Sequence, residues 1–189
     1  MEKTNSVSTK KIVLTALLAA LTVAGSALRI TIPVDIAGTT SFHLGNIMCA
    51  LSGILLGPWY GAAAAAIGSA IYDMLNPLYI SEAWITFLTK GCYGLASGLV
   101  IRCGAKDWKY GKATLATAAG AIVYAALYLS KTFFYSGMLM KGLTAQAAAL
   151  TVVTKLPATT FNAAIAIVCT PALAVSIRKA LEHNRIHLD

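Results

Sequence analysis

Apolar residues run through this chain in six long stretches separated by short polar breaks. That rhythm predicts helices over 12–28, 44–56, 58–75, 83–101, 113–135 and 145–177. The second stretch is short for a membrane span. The sixth contains Pro157 and Pro171, so a bent helix is expected there. The second and third stretches meet at Gly57-Pro58. Proline cannot continue the first helix but suits the first turn of the next, and glycine permits the reversal. The pair therefore predicts a helical hairpin. Its second arm is rich in Ala and Gly, a smooth surface that other helices can approach closely.

The breaks are as informative as the runs. Residues 29–43 are rich in β-branched side chains, with Pro33 and Gly38 as breakers. A plain connector needs only a few residues, so a short extended flap or hairpin acting as a lid is expected. The first helix repeats Ala16, Ala20 and Ala24 at every fourth position. Such a stripe shares one face and lets a helix lie against it, within this chain or on a separate membrane partner.

Composition sharpens the membrane reading. Of 189 residues, 58% are hydrophobic and only 12% charged, about half the charged share of soluble domains. At about 20 residues per span, the length holds roughly six helices and no soluble catalytic domain beside them. The fold class expected is an all-α integral membrane protein in a single domain. The net charge of +8 fits basic loops touching anionic headgroups better than nucleic-acid binding.

Sidedness follows from the positive-inside rule. With the N-terminus in the cytoplasm, the inner segments are 1–11, the turn at Gly57, the basic loop 102–112 and the tail 178–189. They hold Lys3, Lys10, Lys11, Arg102, Lys106, Lys109, Lys112, Arg178, Lys179 and Arg185. Arg29, Lys90, Lys131, Lys141 and Lys155 remain outside them, a split of ten to five. Both termini are then cytoplasmic and the lid extracellular. A basic start followed by an apolar run and AGSA at 24–27 also resembles a signal peptide. The run is long for that role, and its removal would upset the asymmetry.

Three lysines lie inside predicted spans, each about 6–15 Å below the outer surface at 1.5 Å per residue. Each is costly there. Each also sits on a stripe: Phe87, Lys90, Gly94 and Ser97; Tyr124, Tyr128, Lys131 and Tyr135; Thr151, Lys155, Thr159 and Asn162. These spacings place each set on one helical face. If the faces converge, they form an outward-opening pocket with aromatic walls and cationic groups. Snorkelling to the interface, or pairing with Asp73 or Glu82, is the competing account. The candidate binding residues are His43, Asn46, Asp73, Trp84, Lys90, Tyr128, Lys131, Tyr135, Lys155, Thr159 and Asn162. Because one intramembrane acid cannot neutralise three lysines, an anionic or heteroaromatic substrate is expected.

Several chemistries are missing from the sequence. It contains no HExxH, GxSxG or GxxxxGK[ST] pattern, so neither catalysis nor an ATP site is expected. The four cysteines form no CxxC pair and read as small buried hydrophobes. His183 and His187 stand four apart in the tail. They read as solvated, so no metal or cofactor is expected.

Together these pieces resemble the S components of energy-coupling factor (ECF) vitamin transporters, in particular the riboflavin-transporter type. The likeness rests on the basic N-terminus before the Ala16/Ala20/Ala24 helix and on LGN…GILLGPWYGAAAAAIGSAIYDML at 44–75. WITFLTKGCYGLASGLV at 84–100 and the six-span size complete it. The resemblance covers most of 1–103; the second half matches in pattern only. It implies six helices, an outer pocket capped by the first loop, and a prokaryotic plasma-membrane location. It also implies a transmembrane coupling subunit and two ABC-type ATPases as partners, with Ala16, Ala20 and Ala24 facing the coupling subunit. Transport would then proceed by toppling of the loaded subunit, driven by ATP hydrolysis in the partners. Metal-transporting relatives use an N-terminal histidine that this chain lacks. Two other classes stay open: a secondary transporter working through Asp73, and a membrane assembly protein that binds no small molecule.

Overall fold

A computed structural model describes residues 9–34, 38–103 and 109–184. Six helices follow one another: α1 (Thr9–Ala27), α2 (Gly45–Leu56), α3 (Pro58–Leu75), α4 (Ala83–Arg102), α5 (Tyr110–Lys131) and α6 (Ala145–His183). A 3-10 turn, Ile80–Glu82, leads into α4, and a π-helical segment, Thr132–Met140, prolongs α5. Between α1 and α2, β1 (Arg29–Val34) and β2 (Gly38–His43) pair antiparallel, from Arg29 opposite His43 to Val34 opposite Gly38. Among the described residues the regular structure is thus helical except for one ribbon, which occupies the segment expected to be extended.

Among the described residues, four helical stretches are long and apolar enough to cross a membrane: Thr9–Ala27, Ile80–Arg102, Tyr110–Met140 and Ala145–His183. At 12 residues, α2 reaches about 18 Å at 1.5 Å per residue, well short of a 30 Å hydrocarbon core. α3 has the length but carries Gly, Ser, Tyr and Asp. Several breaks are shorter than the sequence suggests. Positions 136–140, expected as loop, are helical, because the apolar run FFYSGMLM continues the backbone ladder. Positions 178–183, expected as tail, extend α6. Likewise 9–11, 102 and 110–112 belong to helices rather than to the flanking polar segments. Residues 1–8, 104–108 and 185–189, including His187, lie outside the described part. α6 runs continuously through Pro157 and Pro171.

Glycine sets how closely α2, α3 and α4 approach. A Cβ at Gly61 would overlap the backbone of Gly53, one at Gly53 the carbonyl of Gly94, and one at Gly98 the backbone of Pro58. Helix backbones touch directly here, the arrangement favoured where lipid removes the usual hydrophobic drive between helices. α3 also meets α1 at Gly68, beside the Ala19 carbonyl. Its smooth arm is therefore consumed by packing within the protein. At the turn, Gly57 adopts φ 81°, a conformation that L side chains rarely take. The Arg102 guanidinium lies over it and donates to the Leu56 carbonyl at 3.3 Å, covering the C-terminus of α2.

Candidate substrate-binding cavity

At the other end of these helices lies a cavity of about 500 Å³, within the range of small-molecule sites. The N-terminal turns of α2 and α4 supply Asn46, Thr86, Thr89 and Lys90, and the C-terminal part of α3 supplies Ser69 and Asp73. α5 contributes Tyr124, Tyr128 and Lys131, the π segment Thr132, Ser136 and Met140, and α6 Thr151, Lys155, Ala158, Thr159 and Asn162. The ribbon adds Arg29, Thr40, Ser41 and His43.

All three lysines of the predicted spans line the cavity. Lys90 is 5% exposed, donates to Asn46 Oδ1, and lies 3.9 Å from the centroid of the Tyr124 ring. Lys155 is 7% exposed. Lys131 pairs with Glu82, whose other carboxylate oxygen accepts from Ser136 Oγ at 2.7 Å. Asp73 is buried and hydrogen-bonded to Thr86. Tyr93, Tyr124 and Tyr128 stack in a ladder with centroids 5.6 and 5.7 Å apart. Tyr93 lies fully buried beneath the cavity.

His43, Asn46, Asp73, Lys90, Tyr128, Lys131, Lys155, Thr159 and Asn162 are brought together as expected lining residues. Trp84 and Tyr135 are not. Trp84 is 56% exposed, and the two form a T-shaped pair at 5.5 Å outside the cavity. The reason lies in the π segment. Its wider turn aligns Thr132, Ser136 and Met140 on the inner face, so the α-helical spacing that selected Tyr135 fails after Lys131. Phe87 likewise faces outward, with Thr86 and Thr89 flanking Lys90 in the lining.

Asn162 holds the ribbon. Its Nδ2 donates to the Ser41 carbonyl at 2.9 Å, and its Oδ1 accepts from the His43 amide at 3.0 Å. One side-chain amide thereby satisfies a backbone donor and a backbone acceptor of β2. Phe42 packs edge-on against Phe161 at 5.0 Å, and Ser41 Oγ lies 3.2 Å from Tyr79 Oη. Arg29 sits between the rings of Tyr72 and Tyr79, at 4.3 and 4.8 Å. Burial holds the His43 imidazole well below its usual range, with Lys90 and Arg29 adding to the effect. It is neutral at pH 7, and its Nδ1 accepts from the Gly45 amide at 3.2 Å. Sequence reading missed Arg29, Glu82, Lys141, Tyr79 and Tyr124 as lining residues. Tyr124 shared the stripe of Tyr128; the others lie outside the central helical runs.

Residues 6–179 match the model of the family described as "ECF-type riboflavin transporter, S component". The chain belongs to that family. S components are the vitamin-binding membrane subunits of uptake systems, work with other ECF subunits, and are not enzymes. This S component is accordingly a multi-pass membrane protein of vitamin transport. It is also 34% identical over 118 residues to a Pyrococcus woesei protein described as "Uncharacterized protein in gap 3'region". The match covers 62% of this chain and 74% of that relative.

Proposed function

We propose that this S component captures a heteroaromatic or anionic micronutrient in the cavity and delivers it through an ECF-type ABC importer. The carrying observation is the cavity itself, lined by stacked tyrosines and buried lysines and covered at one side by the ribbon. In this reading the ribbon is an extracellular lid, and six helices cross the plasma membrane of a prokaryote with both termini inside. ATP hydrolysis takes place in two separate ATPase subunits, coupled through a transmembrane partner. Mass spectrometry of small molecules that copurify with the protein tests the first part. Recovery of a vitamin is the expected result, and a reproducibly empty cavity that takes up no vitamin in titrations would reject it.

The docking face is Ala16, Ala20 and Ala24. All three are exposed on α1, whereas Leu18, Ala19, Thr22, Gly25 and Ser26 are buried against the bundle. That exposure supports contact with another helix. Ala16→Trp with Ala20→Trp is expected to abolish complex formation and transport while sparing vitamin binding. Normal assembly of that double variant, measured by copurification of the coupling subunit, would exclude this face.

A further inference from the structure

Lys90 and Asn46 form one unit on the α2–α4 side of the cavity. Lys90 is 5% exposed and Asn46 2%, yet both line the cavity. An ammonium offers three N–H donors. One goes to Asn46 Oδ1 and another faces the Tyr124 ring, whose centroid lies 3.9 Å away. Neither partner is charged. The ion pairs among the described residues are Lys131–Glu82 and Arg178–Glu182, so no described carboxylate contacts Lys90. Asp73 lies within electrostatic reach, but its hydrogen bond is to Thr86. Asn46 spends its side-chain oxygen on Lys90, and no described residue accepts from its amide N–H groups.

His43 extends the pattern. It lines the same cavity just before α2, close enough for the Lys90 charge to act on its imidazole. Its Nδ1 accepts from the Gly45 amide, which leaves the proton on Nε2, and no described residue accepts from that nitrogen. His43, Asn46 and Lys90 thus offer donors without acceptors, and one of the three is a buried positive charge. A carboxylate is the complement, since it is negatively charged and only accepts. The rest of the wall is polar as well. Among the described lining residues only Leu78, Met140 and Ala158 carry no N–H, O–H, amide or carboxylate group, and Leu78 and Met140 are largely exposed. The Tyr124 ring already carries Tyr93, Tyr128 and Lys90. A broad flat ring therefore finds neither an apolar slot nor an open face there.

We propose that the ligand is a polar carboxylic acid whose carboxylate accepts from Lys90 Nζ and Asn46 Nδ2, with His43 Nε2 beside them. This deepens the reading of the cavity as the vitamin site and rests on it. It separates the ligand from riboflavin, which has a flat ring and no negative charge. It also makes Asn46 a determinant of specificity, because its oxygen orients Lys90 while its nitrogen meets the ligand.

The test uses the full chain in lipid nanodiscs, titrated with two acids and their neutral counterparts: pantothenate with panthenol, and nicotinate with nicotinamide. At least one acid is expected to bind, and at least about tenfold more tightly than its counterpart. Lys90→Met is expected to bring that ratio close to one. Asn46→Asp is expected to do the same, because it keeps the size of the side chain but sets a carboxylate against Lys90; it also tests the site should Lys90→Met fail to fold. An acid and its counterpart binding equally, or a preference that survives both variants, overturns the inference. Riboflavin is the fifth ligand. If it binds and neither acid does, the inference falls and a vitamin-binding subunit stands. No binding by any of the five also overturns it, and if no vitamin copurifies with the protein the reading of the cavity falls with it.

Discussion

At the Gly57–Pro58 end, α2, α3 and α4 meet backbone to backbone through Gly53, Gly61, Gly94 and Gly98. At the opposite end the same three helices present Asn46, Asp73 and Lys90 to a cavity. At one end the backbones cross at glycines, with no side chain between them, and at the other the helices present polar side chains. A buried lysine needs a scaffold that cannot yield, because any slack would admit water or let the ammonium escape to the interface. Direct backbone contact supplies that rigidity. The polar end can then carry groups that are individually unfavourable in a membrane protein.

The contrast can be broken most severely at Gly61. Gly61→Val places a branched side chain against the Gly53 backbone. It is expected to cost about 3 kcal/mol or more, enough to remove most folded protein. Size-exclusion profiles and thermal unfolding in detergent report it; a normally folded variant would show that the contact tolerates expansion. Next in size is Lys90→Met at the polar end. Losing its bond to Asn46 and its contact with Tyr124 is expected to weaken ligand binding by about 1.5–3 kcal/mol, roughly 10- to 150-fold. Unfolding without ligand should change far less, and an unaltered affinity would make Lys90 purely structural.

Asn162→Leu sharpens the comparison further, since it removes the two bonds that hold β2 without touching either packed end. About 1–2 kcal/mol is expected, read as ligand release faster by about 5- to 30-fold in stopped-flow. Release at the original rate would mean that the ribbon does not gate the cavity. The smallest effect concerns pH. His43 has a folded pKa below its unfolded value of about 6.5, so the unfolded chain takes up the proton first. Stability is therefore full above that value and falls as pH drops below it. Between pH 7 and 5.5 the loss is bounded at about 1.4 kcal/mol, and His43→Gln should flatten that part of the profile in thermal melts.

Much of this arrangement was legible in the order of residues. Gly57-Pro58 located the hairpin, and the β-branched run before His43 located the ribbon. The stripes Tyr124–Tyr128–Lys131 and Thr151–Lys155–Thr159–Asn162 identified two cavity walls, because a regular helix carries its spacing into space. What stayed hidden had no such periodicity. Glu82 stands in a 3-10 turn, Arg29 at the foot of a strand and Lys141 in a connection, so only tertiary folding brings them to Lys131 and Lys155. Tyr135 failed for a different reason, a local change of helix type. Asn162 was found by its position, but the backbone groups it binds belong to a strand 119 and 121 residues away in sequence.

The π-helical segment at Thr132–Met140 has a consequence beyond the loss of Tyr135. Its wider turn changes which residues face inward without ending the helix, so the outer side keeps Tyr135 against Trp84 while the inner side offers Ser136 to Glu82. Chain length thereby becomes a variable of the binding surface. A single residue gained or lost within this stretch would exchange the side chains that meet the ligand, and the glycine-tied helices α2 to α4 would remain where they are. Selectivity in such a wall can change by insertion and deletion as well as by substitution.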